Sequence, residues 1–149
     1  MPETLVLKPD HLDGVAYLHA MMNGELPMPP MCETLPIRVQ KAEQGYVEMV
    51  AKAGIEHTNT LGGVHGGFAA TVIDSVTGCT VLSMLEAGVN YTTISLELKM
   101  LRPPPMNEEM VAEGRIVNIS RRLAVANGVL KTRQGKLVAE GSSTCMVFR

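Results

Sequence analysis

Tryptophan is absent from this chain of 149 residues, and only two phenylalanines and three tyrosines stand in for it, so a surface for stacking nucleic-acid bases is hard to assemble. A charge excess is also missing. The formal net charge of −2 gives no general attraction to a phosphate backbone, and a polyanionic ligand would have to be held by a few placed cations. Cysteine is scarce. Cys32, Cys79 and Cys145 are odd in number and far apart, with neither Cys-x-x-Cys nor His-rich spacing, which argues against a disulfide framework and a zinc site. Reduced structural thiols in a cytoplasmic protein are the expectation. The N-terminus lacks a basic region leading into an apolar run and a small-residue cleavage site, so no signal peptide is expected.

What is there reads as one globular domain over residues 1–149, with 46% apolar and 19% charged residues. Pro9 to Gly24 carries Leu12, Val15, Ala16 and His19 near one stripe and predicts a short amphipathic helix. Three prolines between Leu26 and Pro30 predict an extended connector. Leu35–Gln40 and Tyr46–Ala53 read as strands around a turn at Glu43–Gly45.

Gly66 to Leu85 differs in kind: a helical stretch whose one charge is Asp74, without a polar face and therefore expected to be buried on all sides. A membrane span is the competing reading of so apolar a run. Asp74, with Thr71, Ser75, Thr77, Thr80 and Ser83 and without flanking Lys or Arg, argues against it. Beyond this helix the period changes to two. Ile94, Leu96, Leu98 and Met100 alternate with polar residues up to Arg102–Pro105, and Met110–Ile119, Leu123–Lys131 and Leu137–Phe148 follow across short turns that favour antiparallel neighbours. One antiparallel sheet around one helix accommodates the whole order.

Chemistry concentrates in Asn59-Thr60-Leu61-Gly62-Gly63-Val64-His65-Gly66-Gly67, which opens directly into the buried helix. Gly66 and Gly67 fall where unpaired N–H groups and the positive end of the helix dipole face outward, and without Cβ atoms they let a ligand come close. Such a terminus suits a carbonyl oxygen that becomes negative during attack. Paired glycines also serve plain helix–sheet packing, and alone they favour that reading. Asp74 within an apolar helix is costly unless it is hydrogen-bonded in the core or lines a cavity. His65 alone reads as a satisfied interior histidine, a ligand-bonding group or a loop-orienting one. Seven residues separate Gly67 from Asp74, roughly 10 Å along a helix axis. Both would need to lie within about 3 Å of the same reacting atoms. One helix cannot readily do that, so a site shared between two chains, and hence a symmetric dimer, is expected.

Asn59-x-x-Gly62-x-Val64-His65-Gly66-Gly67, with Asp74 nine residues after His65, resembles the phenylacetate-degradation (PaaI-type) branch of the hotdog-fold acyl-coenzyme A thioesterases. Gly24-Glu25-Leu26-Pro27-x-Pro29-Pro30, Tyr91-Thr92-Thr93 and Leu101-Arg102-Pro103 are similar to that branch as well, and the likeness spans about Leu26 to Phe148. Thr60 departs from it, standing where relatives often have proline. The resemblance implies an α+β hotdog fold: a curved antiparallel sheet wrapped around one long helix, the sheets of two subunits joining across a two-fold axis, with a dimer of dimers also open. It implies hydrolysis of an aryl- or medium-chain acyl-coenzyme A, with coenzyme A as part of the substrate and no separate cofactor or metal. Asp74 would attack the thioester or activate a water, and Gly67 would supply the oxyanion N–H. Asn59 and His65 would support carbonyl and loop, and Thr93 would orient the water. Gly66, Phe68, Arg102, Arg121 and Arg122 are the substrate-binding candidates, the arginines for the coenzyme A phosphates, although plain surface solvation accounts for each equally. Phe68, Val72, Met84 and Met100 are expected around the acyl group. A non-catalytic module that binds acyl-coenzyme A is the alternative, and neither a nucleic acid nor a membrane is an expected partner.

Overall fold

The computed structural model describes residues 8–149; the signal-peptide and domain expectations fall partly on residues 1–7, outside the described residues. The first helix, α1 (Gly14–Met22), starts where the Asp13 carboxylate accepts the Ala16 N–H. It is shorter than the apolar stripe suggests, and it docks through Leu18, which is fully buried. The connector after it is irregular, and Pro30, expected within it, already takes helical dihedrals as the N-cap of the next turn. One further turn, α2 (Met31–Thr34), follows, which composition did not announce.

Six antiparallel strands form one sheet: β1 (Ile37–Glu43), β2 (Tyr46–Lys52), β3 (Asn90–Met100), β4 (Glu109–Ile119), β5 (Leu123–Thr132) and β6 (Leu137–Phe148). Their order is β1-β2-β4-β5-β6-β3, so β3 is an edge strand although it comes third in sequence. A long helix, α3 (Gly66–Leu82), lies against one face. This is the hotdog architecture the resemblance implies.

The helix sits close to the sheet where β4 and β5 each present a glycine to it, Gly114 and Gly128. A Cβ on Gly114 of β4 would meet Thr80 Oγ1 at 2.1 Å and the Val76 carbonyl oxygen at 2.7 Å. Ile73 and Val76 are fully buried there, each worth about 1.5–3 kcal/mol of transfer free energy. The hydroxyls of α3 are satisfied within the helix: Thr77 Oγ1 donates to the Ile73 carbonyl at 2.7 Å and Thr80 Oγ1 to the Val76 carbonyl at 2.7 Å. Among the described residues, no helix is long and apolar enough to cross a membrane.

Two expectations need correction. The long helix is not buried on all sides: Gly67, Ala70, Thr71, Asp74 and Ser75, which recur at helical spacing, form a half-buried stripe. The alternation in β3 is also broken. A bulge between Thr93 and Ser95 sets two residues of β3 against one step of β6, with Thr93 opposite Cys145 and Ser95 opposite Thr144. Ile94 is the extra residue and is 51% exposed instead of facing the core with Leu96. The bulge turns Thr93 inward, where unbroken alternation with Leu96 would have turned it out.

Candidate active site

Asp74 lies in the middle of α3, on its half-buried stripe, opposite the bulged part of β3. The Thr93 hydroxyl donates to Asp74 Oδ1 at 3.1 Å. Thr93 Oγ1 also lies 3.7 Å from Cys145 Sγ, a buried thiol whose pKa burial raises. The pair Asp74–Thr93 stands in the wall of a cavity of about 220 Å³. Otherwise the lining is largely apolar: Met21 from α1, Met28 and Met31 from the connector and α2, Met49 from β2, and Tyr91 beside Gly78.

The methionines of this cavity are not the residues that the sequence leads one to expect around an acyl group. Phe68 is buried in the core, its ring tilted against His57 with centroids 5.1 Å apart, so it faces no hollow. Val72 is fully buried, and Met84 borders a different hollow near His11 and Asp13. Met100 alone among the four reaches a ligand-sized opening near the site loop. The eleven methionines of the chain were the available signal, since flexible thioethers line adaptable pockets. Nothing in their spacing says which ones converge.

The loop before α3 is built by Asn59. Its Oδ1 accepts the Leu61 N–H at 2.9 Å and the Gly63 N–H at 3.2 Å, while its own N–H donates to the Gly63 carbonyl at 2.8 Å. Gly62 takes φ +84°, a left-handed turn that favours glycine. His65 follows as the N-cap of α3, and its Nδ1 accepts the Gly67 N–H at 2.8 Å. The N–H expected to hold an oxyanion is thus already engaged by the neighbouring imidazole. The loop hangs from His57, whose carbonyl accepts the His65 N–H at 2.8 Å, whose Nδ1 accepts the Gly54 N–H at 2.9 Å, and whose Nε2 lies 2.7 Å from the Thr34 carbonyl oxygen. Sequence reasoning missed this brace between α2 and the loop.

Asn59, Gly66, Met100 and Arg102 share a second, open hollow of about 550 Å³. Arg121 and Arg122 lie elsewhere. They are exposed in the turn between β4 and β5, where the Arg121 carbonyl accepts from Arg149 Nε at 2.9 Å and the Arg122 carbonyl from the Val147 N–H at 2.7 Å. Val147 pairs with Tyr91 at the start of β3, whereas Arg102 follows its end, so the strand length of about 30 Å separates the two groups within one chain. One chain brings Asp74 to Thr93, and Asn59 to Gly66 and Arg102, but it does not merge the two sets.

Burial pushes the Cys79 thiol up to about 12, with the nearby Cys32 and Asp74 charges adding to the effect. Burial likewise raises Tyr91 well above the usual phenol range, ahead of the smaller effects of Cys79, Cys145 and Asp74. Both side chains therefore stay neutral around Asp74 at neutral pH.

Residues 61–139 match the Thioesterase superfamily. The chain is 33% identical over 90 residues to mouse acyl-coenzyme A thioesterase 13, covering 60% of this chain and 64% of that protein. It therefore spans less than two thirds of the mouse protein. It is 28% identical over 109 residues to human acyl-coenzyme A thioesterase 13, covering 72% and 77% respectively. Among solved structures, a phenylacetic acid degradation-related protein of Ralstonia eutropha JMP134 superposes with a TM-score of 0.79 at 31% identity, over 87% of this chain and 98% of that one.

Proposed function

The chain belongs to the thioesterase superfamily of thioester hydrolases, and from that premise we propose that it hydrolyses an acyl-coenzyme A, with Asp74 as the general base. The observation that carries this reading is the Thr93–Asp74 hydrogen bond in the wall of an apolar cavity. A carboxylate bonded by a single hydroxyl keeps lone pairs for a water, and the hydroxyl beside it offers that water a second contact. Asp74 takes the proton as the water adds to the thioester carbon. The tetrahedral oxyanion rests on the N-terminus of an α3, and collapse expels the coenzyme A thiolate. The names of the curated relatives support an acyl-coenzyme A as substrate.

The oxyanion donors would come from a second copy. β3 is an eleven-residue edge strand with a row of unpaired backbone groups, the kind of edge that a symmetric partner can extend. Two copies of β3 paired antiparallel over their length would lay Thr93 of one near the Met100 end of the other. Met100 touches Gly66 closely, since a Cβ there would meet its sulfur at 2.7 Å. That pairing would carry Gly66, Gly67, Asn59 and Arg102 of one copy toward Asp74 of the other, and Arg121 and Arg122 toward Arg102. The phosphates of coenzyme A would then meet these arginines at the mouth of the shared site.

Occupation of the site requires the His65 ring to swing off Gly67, exchanging a neutral cap for a thioester oxygen. Thiol release from a panel of acyl-coenzyme A substrates tests the reading. Hydrolysis of at least one chain-length or aryl class supports it, whereas binding without thiol release points to the non-catalytic module.

A further inference from the structure

The Tyr91 hydroxyl is, with that of Ser75, a polar group of the Asp74 cavity that the proposed hydrolysis leaves unused. Tyr91 lines the cavity and packs directly over Gly78, where a Cβ would stand 3.2 Å from its oxygen. No hydrogen-bond partner is found for that oxygen among the described residues, whereas the threonines of α3 bond their own backbone and Thr93 bonds Asp74. No fully enclosed side-chain oxygen lacks a partner among the described residues, so the phenol opens onto the cavity instead of being sealed in the core. Met21, Met28, Met31 and Met49 offer no strong acceptor or donor.

Two independent spacings place this contact along the site. Gly78 is four residues beyond Asp74 on α3, about 6 Å along the axis. Tyr91 is two residues before Thr93 on β3, about 7 Å along the strand and on the same face. Both set the Tyr91–Gly78 contact about one helical turn from the carboxylate. Burial keeps it protonated, so it can both donate and accept.

We propose that Tyr91 determines specificity by hydrogen-bonding a hydroxyl or carbonyl on the acyl group about one helical turn from the carboxylate, so that oxygenated acyl groups are preferred over plain hydrocarbon ones. This rests on the assignment of the Asp74 cavity to the acyl group. An unoccupied phenol costs the site little while water reaches it. A hydrocarbon chain displaces that water and leaves the hydroxyl unpaired, which is where discrimination arises.

Hexanoyl-coenzyme A and its terminally hydroxylated derivative make a matched pair, tested on the wild-type protein and on Tyr91→Phe. The ratio of kcat/KM for hydroxylated over plain substrate should fall about tenfold in the variant, the worth of one hydrogen bond. A hydroxyl with a merely structural role would lower both values alike and leave the ratio in place. The non-hydrolysable thioether analogues of the same pair, titrated against both proteins, give the ratio of Kd values without turnover. An unmoved ratio by both measures overturns the role of Tyr91 whether or not the protein hydrolyses thioesters. Absence of thiol release with a shifted Kd ratio leaves the Tyr91 contact standing and removes the hydrolysis.

Discussion

His65 caps α3 through Gly67: its Nδ1 accepts the Gly67 N–H at 2.8 Å, the donor that the proposed mechanism assigns to the thioester oxygen. Loss of an N-cap costs about 1 kcal/mol, and loss of an oxyanion donor costs about 10²–10³ in turnover. His65→Ala should lower thermal stability modestly and keep turnover within about tenfold, while Gly67→Pro should abolish most turnover in a protein that stays folded by circular dichroism. Equal losses in the two variants would make the imidazole itself the group that polarises the carbonyl.

Thr93 is expected to act through its hydroxyl and not its volume. Thr93→Val removes the 3.1 Å bond to Asp74 while keeping the branched shape, and should lower kcat about tenfold; Thr93→Ser should retain most of it. Steady-state kinetics on the two variants separates the hydroxyl from the packing, since a packing role would make Ser the worse substitution.

The fold was legible in outline because its signals are local. The apolar helix around Asp74 and the later strands stand close to where composition and alternation place them, while the first strand lies at Ile37–Glu43 instead of Leu35–Gln40 and the helix ends at Leu82. Elements that depend on distant partners were not. The β3 bulge arises where β3 meets β6, so Thr93 reached the list through resemblance while strict alternation would have faced it outward. Phe68 is among the residues expected around the acyl group, and its position on α3 turns it toward His57 and the core. The Asp74 cavity is assembled from six separate segments, and no one of them carries its pattern.

The proposed assembly rests on the two hollows not merging within one chain. Light scattering should give at least a dimer at working concentration, and Ile94→Lys should weaken it by placing a charge on the β3 edge. Activity should fall in step with dissociation. A monomer that keeps full specific activity on dilution would contradict the shared site.

Cys79 should be inert in the folded protein. With its thiol pushed up to about 12 mainly by burial, little thiolate forms at pH 8, and iodoacetamide should label it far more slowly than in denaturant, as read by mass spectrometry. The folded pKa lies above the ordinary value of 9, so the contribution of the neutral thiol to stability is complete below pH 9 and is lost as pH rises toward 12. Chemical denaturation across that window should show falling stability, with a shallower fall in Cys79→Ala.

Asp74→Asn separates chemistry from packing at the carboxylate of α3. Asparagine is nearly isosteric and can still accept from Thr93 Oγ1, so the fold, the assembly and acyl-coenzyme A binding should persist. It cannot take a proton at neutral pH, and thiol release should fall by about 10² or more. Thermal unfolding and ligand titration run alongside exclude a loss through unfolding. A well-folded Asp74→Asn protein with wild-type thiol release would contradict the account.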